Sequence, residues 1–261
     1  MINRQKIEES LESFQGGMPF DHCVIDGFFE PEWAECLEAE FPPYDDKNWY
    51  IYDNAIEHKR ALNDWNKYPE ATYKTLSYLI SDAFIQDVLV KKLGTLLEQD
   101  PGLHGGGWHI HGSGGNLNPH LDYHLHPKLK KVRKLNLIVY LSSNLNPQQH
   151  GGHLGLWEHD EKSDRPGRLI KEVEPLFNRA VLFDTTQNSW HGMSQKLNVP
   201  ENVYRKSLAL YYLISPTEKD MTERQRARFA PRDEQKQDAG VAELIRLRAD
   251  ATQHKNVYKS K

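Results

Sequence analysis

The sequence predicts a mainly β protein with flanking helices, a double-sheet jelly roll behind an N-terminal helical layer, and three observations carry that reading. From about residue 105 onward, short apolar runs alternate with Gly, Pro and Asn clusters, which places strands near 107–111, 117–121, 135–141, 153–157, 180–184 and 207–214. Before residue 100, apolar residues recur at helical spacing, giving helices able to cover one sheet. The 261 residues are 38% hydrophobic and 10% aromatic, enough to bury a proper core.

In chain order, residues 2–13 form a short polar helix and Val24-Ile25 a strand. Pro31 starts a helix that stops before Pro42-Pro43, because proline suits a first turn and cannot continue one. Trp49 to Tyr52 reads as a strand. Pro69 to Leu79 and Ser81 to Leu93 are helical, the second with Ser81 as N-cap and Gly94 past its end, burying Phe84, Ile85, Val88, Leu89 and Leu93. Past Pro216, Thr217 to Phe229 and Asp233 to about Ala249 each predict a charged helix, the second with Val241, Leu244 and Ile245 on one face. The organisation expected is one domain over 1–215, with helical support in 1–100 and the jelly roll in about 103–215. A charged helical extension follows over 216–261, its helices being candidates for a homodimer contact.

Charge and composition exclude several classes. A net charge of −4 and pI near 6.4 leave no electrostatic footprint for nucleic acid. Apolar runs fall far short of a membrane span, and the polar N-terminus lacks the core of a signal peptide, so the cytoplasm is the expected location. Cys23 and Cys36 make neither a disulfide framework nor a zinc spacing and read as buried or half-buried thiols in a reducing compartment. Residues 1–46 hold twelve acidic and two basic side chains, a run read as solvated helix faces.

The chemistry concentrates in Pro119-His120-Leu121-Asp122. Side chains at i and i+2 of an extended segment share a face, so His120 and Asp122 can both point into a pocket. With 13 His and 17 Asp, about one His-x-Asp triplet arises by accident, so the surrounding residues must decide. His191, in Ser-Trp-His191-Gly192 just after the apolar run Ala180 to Phe183, is the best third ligand. Two imidazoles and a carboxylate leave open positions on an ion, as in non-haem Fe(II) oxygenases. Arg205 and Ser207 open the strand running to Ile214 and share a face, where guanidinium and hydroxyl could grip a carboxylate. The runs Gly105-Gly106-Gly107 and Gly112-Ser-Gly-Gly115 lack a phosphate-loop pattern and read as tight turns beside the pocket.

Over roughly residues 103–215 these features together resemble the Fe(II)- and 2-oxoglutarate-dependent dioxygenases, in the prolyl-4-hydroxylase-like branch. The likeness rests on the Gly-Gly run, the His-x-Asp pair, the Leu-Ile-Val-Tyr-Leu strand, Gly151-Gly152-His153-Leu154, Ser-Trp-His191-Gly and Arg205-x-Ser207. The segment Pro19 to Pro31 also looks like the usual entry to such domains. His153 stands where many relatives carry glutamate.

The resemblance implies a double-stranded β-helix, cupin-like core with His120, Asp122 and His191 as iron ligands. It implies Arg205, assisted by Ser207, as partner of the distal carboxylate of 2-oxoglutarate, with Tyr140 reaching the same carboxylate from the opposing strand. Asn136 falls on the Tyr140 face by alternation. Fe(II), 2-oxoglutarate and O2 are the implied cofactors, with ascorbate as a supporting reductant. The implied reaction hydroxylates an unactivated C–H bond of a prolyl-containing or small-molecule substrate and releases succinate and CO2. Alternatives are the same chemistry on an amino acid or sugar derivative, and a non-catalytic module that senses metal or 2-oxoglutarate. Substrate contacts are expected from loops 53–67, 142–152 and 158–170.

Overall fold

The computed structural model describes residues 1–250 together with 252, 253 and 257. Helix α1 (Arg4–Leu11) is capped by Asn3, whose side chain accepts from the Lys6 amide at 3.2 Å, and it buries Ile7 and Leu11. It leads to β1 (His22–Asp26) and then α2 (Pro31–Ala39), which opens on Pro31 as expected. Strands β2 (Tyr50–Asp53) and β3 (Glu57–Leu62) precede α3 (Glu70–Leu79). Ser81 caps the next helical run, α4 (Asp82–Phe84), a π turn over Ile85–Val90 and α5 (Lys91–Leu93), which ends at Gly94 in the left-handed region. The five apolar residues expected to be buried there are all buried.

The β region runs through β4 (Glu98–Gln99), β5 (Gly107–His111), β6 (Asn116–Leu117), β7 (His120–Leu121) and β8 (Val132–Tyr140). A short helix α6 (Pro147–His150) leads to β9 (Leu154–Asp160), β10 (Arg165–Val173), β11 (Arg179–Asp184), β12 (Trp190–Met193) and β13 (Arg205–Ile214). The last elements are β14 (Arg228–Phe229) and α7 (Ala239–Ala249). The major sheet has the order β1-β11-β8-β13-β5-β3-β2, with β4 beside β13 and β6 beside β3. Facing it is the smaller sheet β10-β9-β12-β7-β14. Both are antiparallel throughout, and together they make the expected jelly roll.

Alternation along the major sheet divides its labour. Leu135, Leu137 and Val139 of β8, Leu208, Leu210 and Tyr212 of β13, and Trp108 and Ile110 of β5 face outward and join the helical layer in one large core. The intervening residues face the space between the sheets. Val181, Phe183, Leu154, Leu156 and Tyr140 make a small apolar core at one side of that space, and the remainder lines a cavity.

Several expected loops and helices differ. Loop 53–67 contains β3, paired to β2 and β5; its sequence EHKRAL shows no apolar alternation because its inward face borders the cavity instead of a core. Loop 158–170 is mostly a hairpin of β9 and β10, the latter an exposed edge strand that tolerates Pro166 and Gly167 through register shifts. The strand expected at 117–121 is divided into β6 and β7, which pair with different sheets. The helix expected over 217–229 reduces to a 3-10 turn at Lys219–Thr222 and β14. Its backbone is used across the chain: the Arg224 carbonyl accepts from the amides of His124 and Leu125, and β14 pairs with β7. The final helix starts at Ala239, after a 3-10 turn at Asp233–Gln235. No helix among the described residues is long and apolar enough to cross a membrane.

Of the two thiols Cys23 is buried, but Cys36 is exposed on α2, since the buried face of that helix is taken by Ala34 and Leu37. Burial pushes the Cys23 thiol up to about 12. Titration with an aromatic disulfide at pH 8 should therefore consume one thiol rapidly in the native protein and a second only after denaturation. A second check concerns Gly107, which has a φ of +83° and where an added Cβ would run into the Leu62 carbonyl. Gly107→Ala should cost at least about 2 kcal/mol in urea unfolding, combining the unfavourable φ with displacement of β3.

Candidate functional site

Two short strands of the smaller sheet bring the expected ligands together. In the pairing of β7 with β12, His191 lies directly opposite His120, with ring centroids 4.3 Å apart. Asp122 follows His120 on the same side, as the two-residue spacing requires. His120 Nε2 lies 3.9 Å from Asp122 Oδ1, and His191 Nε2 lies 3.8 Å from Oδ2. Donor atoms of the three residues all fall within 4.8 Å of one another, and all three residues are buried.

Backbone carbonyls fix the imidazoles. His120 Nδ1 donates to the Asn118 carbonyl at 3.0 Å and His191 Nδ1 to the Ser189 carbonyl at 2.8 Å, which leaves each Nε2 lone pair directed at the shared space. Phe229 stacks on the His120 ring at 5.0 Å and Phe183 packs on His191 at 4.6 Å. Burial lowers both histidine pKa values, that of His120 to about 3, so both rings stand neutral. Burial alone would raise the Asp122 carboxyl, but the Arg133 guanidinium, helped by the Asn136 amide, outweighs it and holds the group well below the usual carboxylate range. A neutral, neutral, anionic donor set converging on one point fits a divalent cation with positions to spare.

Arg133 is a part of this site that sequence reading missed. Its Nη1 lies 3.1 Å from Asp122 Oδ1, its Nη2 donates to the His104 carbonyl at 2.7 Å, and its guanidinium is sandwiched 3.4 Å and 3.2 Å from the ring centroids of Tyr123 and Tyr211. Parity along β8 gives no hint of it, because an irregularity opposite Tyr212 and Leu213 of β13 shifts the pairing. Asn136 donates to Asp122 Oδ2 at 3.1 Å, so it serves the carboxylate of the donor set. Its own Oδ1 is buried without a partner. Arg224, from the segment after Pro216, donates to the Asp122 carbonyl at 3.0 Å.

Arg205 and Ser207 open into the same cavity, whose volume is about 350 Å³, while Tyr140 lies behind Arg205 in the small apolar core. Arg205 lies on its wall, with Nε donating to the Gly152 carbonyl at 2.7 Å and Nη2 donating to the Tyr140 hydroxyl at 3.3 Å. Gly152 has a φ of +80°, and a Cβ there would press on the Arg205 side chain at 3.1 Å, so this position and the guanidinium are fitted to each other. Ser207 pairs with Tyr140 on one side and His109 on the other. His153 sits away from this group, 3.9 Å from Glu174. His124 bonds Asp220 at 2.6 Å, and His126 accepts from the amides of Lys128 and Leu129, so neither extends the donor set.

Removing Arg133 leaves a buried carboxylate without its cation. Arg133→Met should lower stability by about 3 kcal/mol in the metal-free protein. Adding Mn(II) should recover part of that loss, so the metal-induced rise in Tm will exceed that of the parent; an equal rise would show that Asp122 does not depend on Arg133 for its charge.

Residues 106–213 match the sequence model of the 2OG-Fe(II) oxygenase superfamily. No curated protein matches the chain in sequence. Among solved structures, a prolyl hydroxylase from Trichoplax adhaerens, determined with a hypoxia inducible factor peptide, superposes with a TM-score of 0.55 at 18% identity, over 83% of this chain and 93% of that one. A Pseudomonas putida prolyl-4-hydroxylase gives 0.55 at 16% identity, over 80% and 100%. A prolyl 4-hydroxylase from Phytophthora capsici gives 0.51 at 20%, over 95% and 74%. The superfamily's sequence pattern thus runs through the strands that carry the donor set and Arg205, and the likeness in fold extends on both sides, so residues 106–213 are similar in sequence to the 2OG-Fe(II) oxygenases and the surrounding chain shares their fold.

Proposed function

We propose that the protein hydroxylates an unactivated C–H bond of a prolyl or proline-like substrate, with His120, Asp122 and His191 holding Fe(II) and Arg205 receiving the distal carboxylate of 2-oxoglutarate. The observation that carries this reading is that one cavity contains both a neutral, neutral, anionic donor set and a buried guanidinium braced by Gly152 and Tyr140. The likeness in fold to prolyl hydroxylases supports the choice of substrate type.

When bound, Fe(II) supplies oxygen activation coupled to decarboxylation of 2-oxoglutarate, giving succinate, CO2 and a hydroxylated product. The protein's contribution is geometry and charge. Arg205, pre-set by its bonds to Gly152 and Tyr140, fixes the co-substrate's far end without reorganisation, and Ser207 and the Tyr140 hydroxyl offer further hydrogen bonds to it. Asn136 and Arg133 hold the Asp122 carboxylate in one orientation. Ile138, Leu154 and Met193 give the wall an apolar portion that limits water beside the reacting atoms.

Titrating the oxygen-free protein with Fe(II) and 2-oxoglutarate should produce the weak visible charge-transfer band of a chelated 2-oxo acid. Asp122→Ala should abolish it, and Arg205→Ala should require about tenfold to a hundredfold more 2-oxoglutarate to reach half its intensity. Absence of the band in the parent at every co-substrate concentration would remove the basis for this function.

A further inference from the structure

The cavity carries more positive charge than the co-substrate and iron chemistry uses. Among the described residues its wall holds five cationic side chains, Lys59, Arg133, Arg205, Arg226 and Arg248, and two carboxylates, Glu57 and Asp122. Arg133 is paired with Asp122, and Arg248 Nε bonds Glu57 Oε1 at 2.8 Å. Arg205 answers the distal carboxylate under the function proposed above. Lys59 belongs to none of these pairs. Its ammonium has no hydrogen-bond partner among the described residues and lies 5.1 Å from the centroid of the Tyr52 ring. Burial lowers the Lys59 pKa, outweighing the attraction of Glu57, whose carboxylate is already bonded by Arg248.

Position adds a second argument. In the pairing of β3 with β5, Arg60 faces Ile110 and Ala61 faces His109, so continuing the register by one residue sets Lys59 level with His111. His111 in turn pairs with Arg205. Lys59, His111 and Arg205 thus form a row across three neighbouring strands, all on the cavity face. The outer members stand two strand spacings apart, about 10 Å. His111 between them is 2% exposed, and neither ring nitrogen has a hydrogen-bond partner. Burial and the two flanking cations hold its pKa well below the ordinary value, so the ring is neutral and can donate one hydrogen bond without adding charge. A row made of a cation, a neutral donor with nothing to bond and a second cation has room for two anions, of which 2-oxoglutarate supplies one.

We propose that Lys59 and His111 form the acceptor site for a carboxylate on the substrate itself, so that the molecule hydroxylated is a small free acid of amino-acid size rather than a residue inside a polypeptide. This rests on the proposed function and narrows its substrate class. A polycationic acceptor, such as an amino sugar, is disfavoured by the same charges.

The test uses the protein loaded with Mn(II) and saturating 2-oxoglutarate, which turns nothing over, and measures by calorimetry the binding of the protein amino acids, each against its own primary amide. At least one acid should bind about tenfold or more tightly than its amide. Lys59→Met should bring that ratio to about one and Lys59→Arg should retain most of it. A ratio near one in the parent, a ratio unchanged in Lys59→Met, or no binding by any acid overturns the inference. So does a large loss of 2-oxoglutarate affinity in Lys59→Met, which would assign the ammonium to the co-substrate. If 2-oxoglutarate fails to bind the parent at all, the function falls and the inference with it; if it binds and only the difference between acid and amide is missing, the function stands.

Discussion

A strand has two faces, and in this protein the two faces of the same strands serve opposite environments. On β8, β13 and β5 the outward residues are Leu, Val, Trp and Ile locked into the helical layer, while the inward ones are Asn136, Arg205, Ser207, His109 and His111. Polar side chains placed between two sheets contribute little hydrophobic stabilisation and need partners. The burden of holding the sheet together therefore falls on its other face. That is why the helical support is extensive, and why Trp108, one residue from His109 on the chain, packs with Phe41, Trp49 and Tyr68. The helices are the condition on which the interior can be given over to chemistry.

The same division explains what could be read in the sequence. Strands with one apolar face announce themselves, so those near 107–111, 135–141, 180–184 and 207–214 were legible, as were the capped helix after Ser81 and the donor triplet at His120. Strand β3 was not, because its inward residues Glu57 and Lys59 border a polar cavity and its outward His58 and Arg60 are only half-buried; no hydrophobic period survives. Strand β14 was hidden for another reason. Two residues paired to an equally short β7 carry no pattern, and charged neighbours at helical spacing suggested a helix that lost to cross-chain hydrogen bonds. Arg133 was invisible because a local irregularity, not strand parity, aims it at Asp122.

Electrostatics then sets what the cavity accepts. The donor set is arranged for a cation before any arrives, with neutral imidazoles and an ionised carboxylate. The carboxylate is made tolerable in the meantime by Arg133 and Asn136. Elsewhere on the wall the balance is reversed, with guanidinium and ammonium groups outnumbering acids. A single interior of about 350 Å³ thus holds a converging anionic donor set and, apart from it, a wall on which cations prevail among the described residues.

The segment after Pro216 also bears on the order in which the molecule is made. His120, Asp122 and His191 are all synthesised before residue 192, yet Phe229, which covers the His120 ring, Arg224, which bonds the Asp122 carbonyl, and Arg248, which pairs with Glu57, are added only after them. On the ribosome the donor set is complete in composition while one side of it still lacks its wall. The segment after Pro216 is what adds the missing side to a cleft that the two sheets alone leave open.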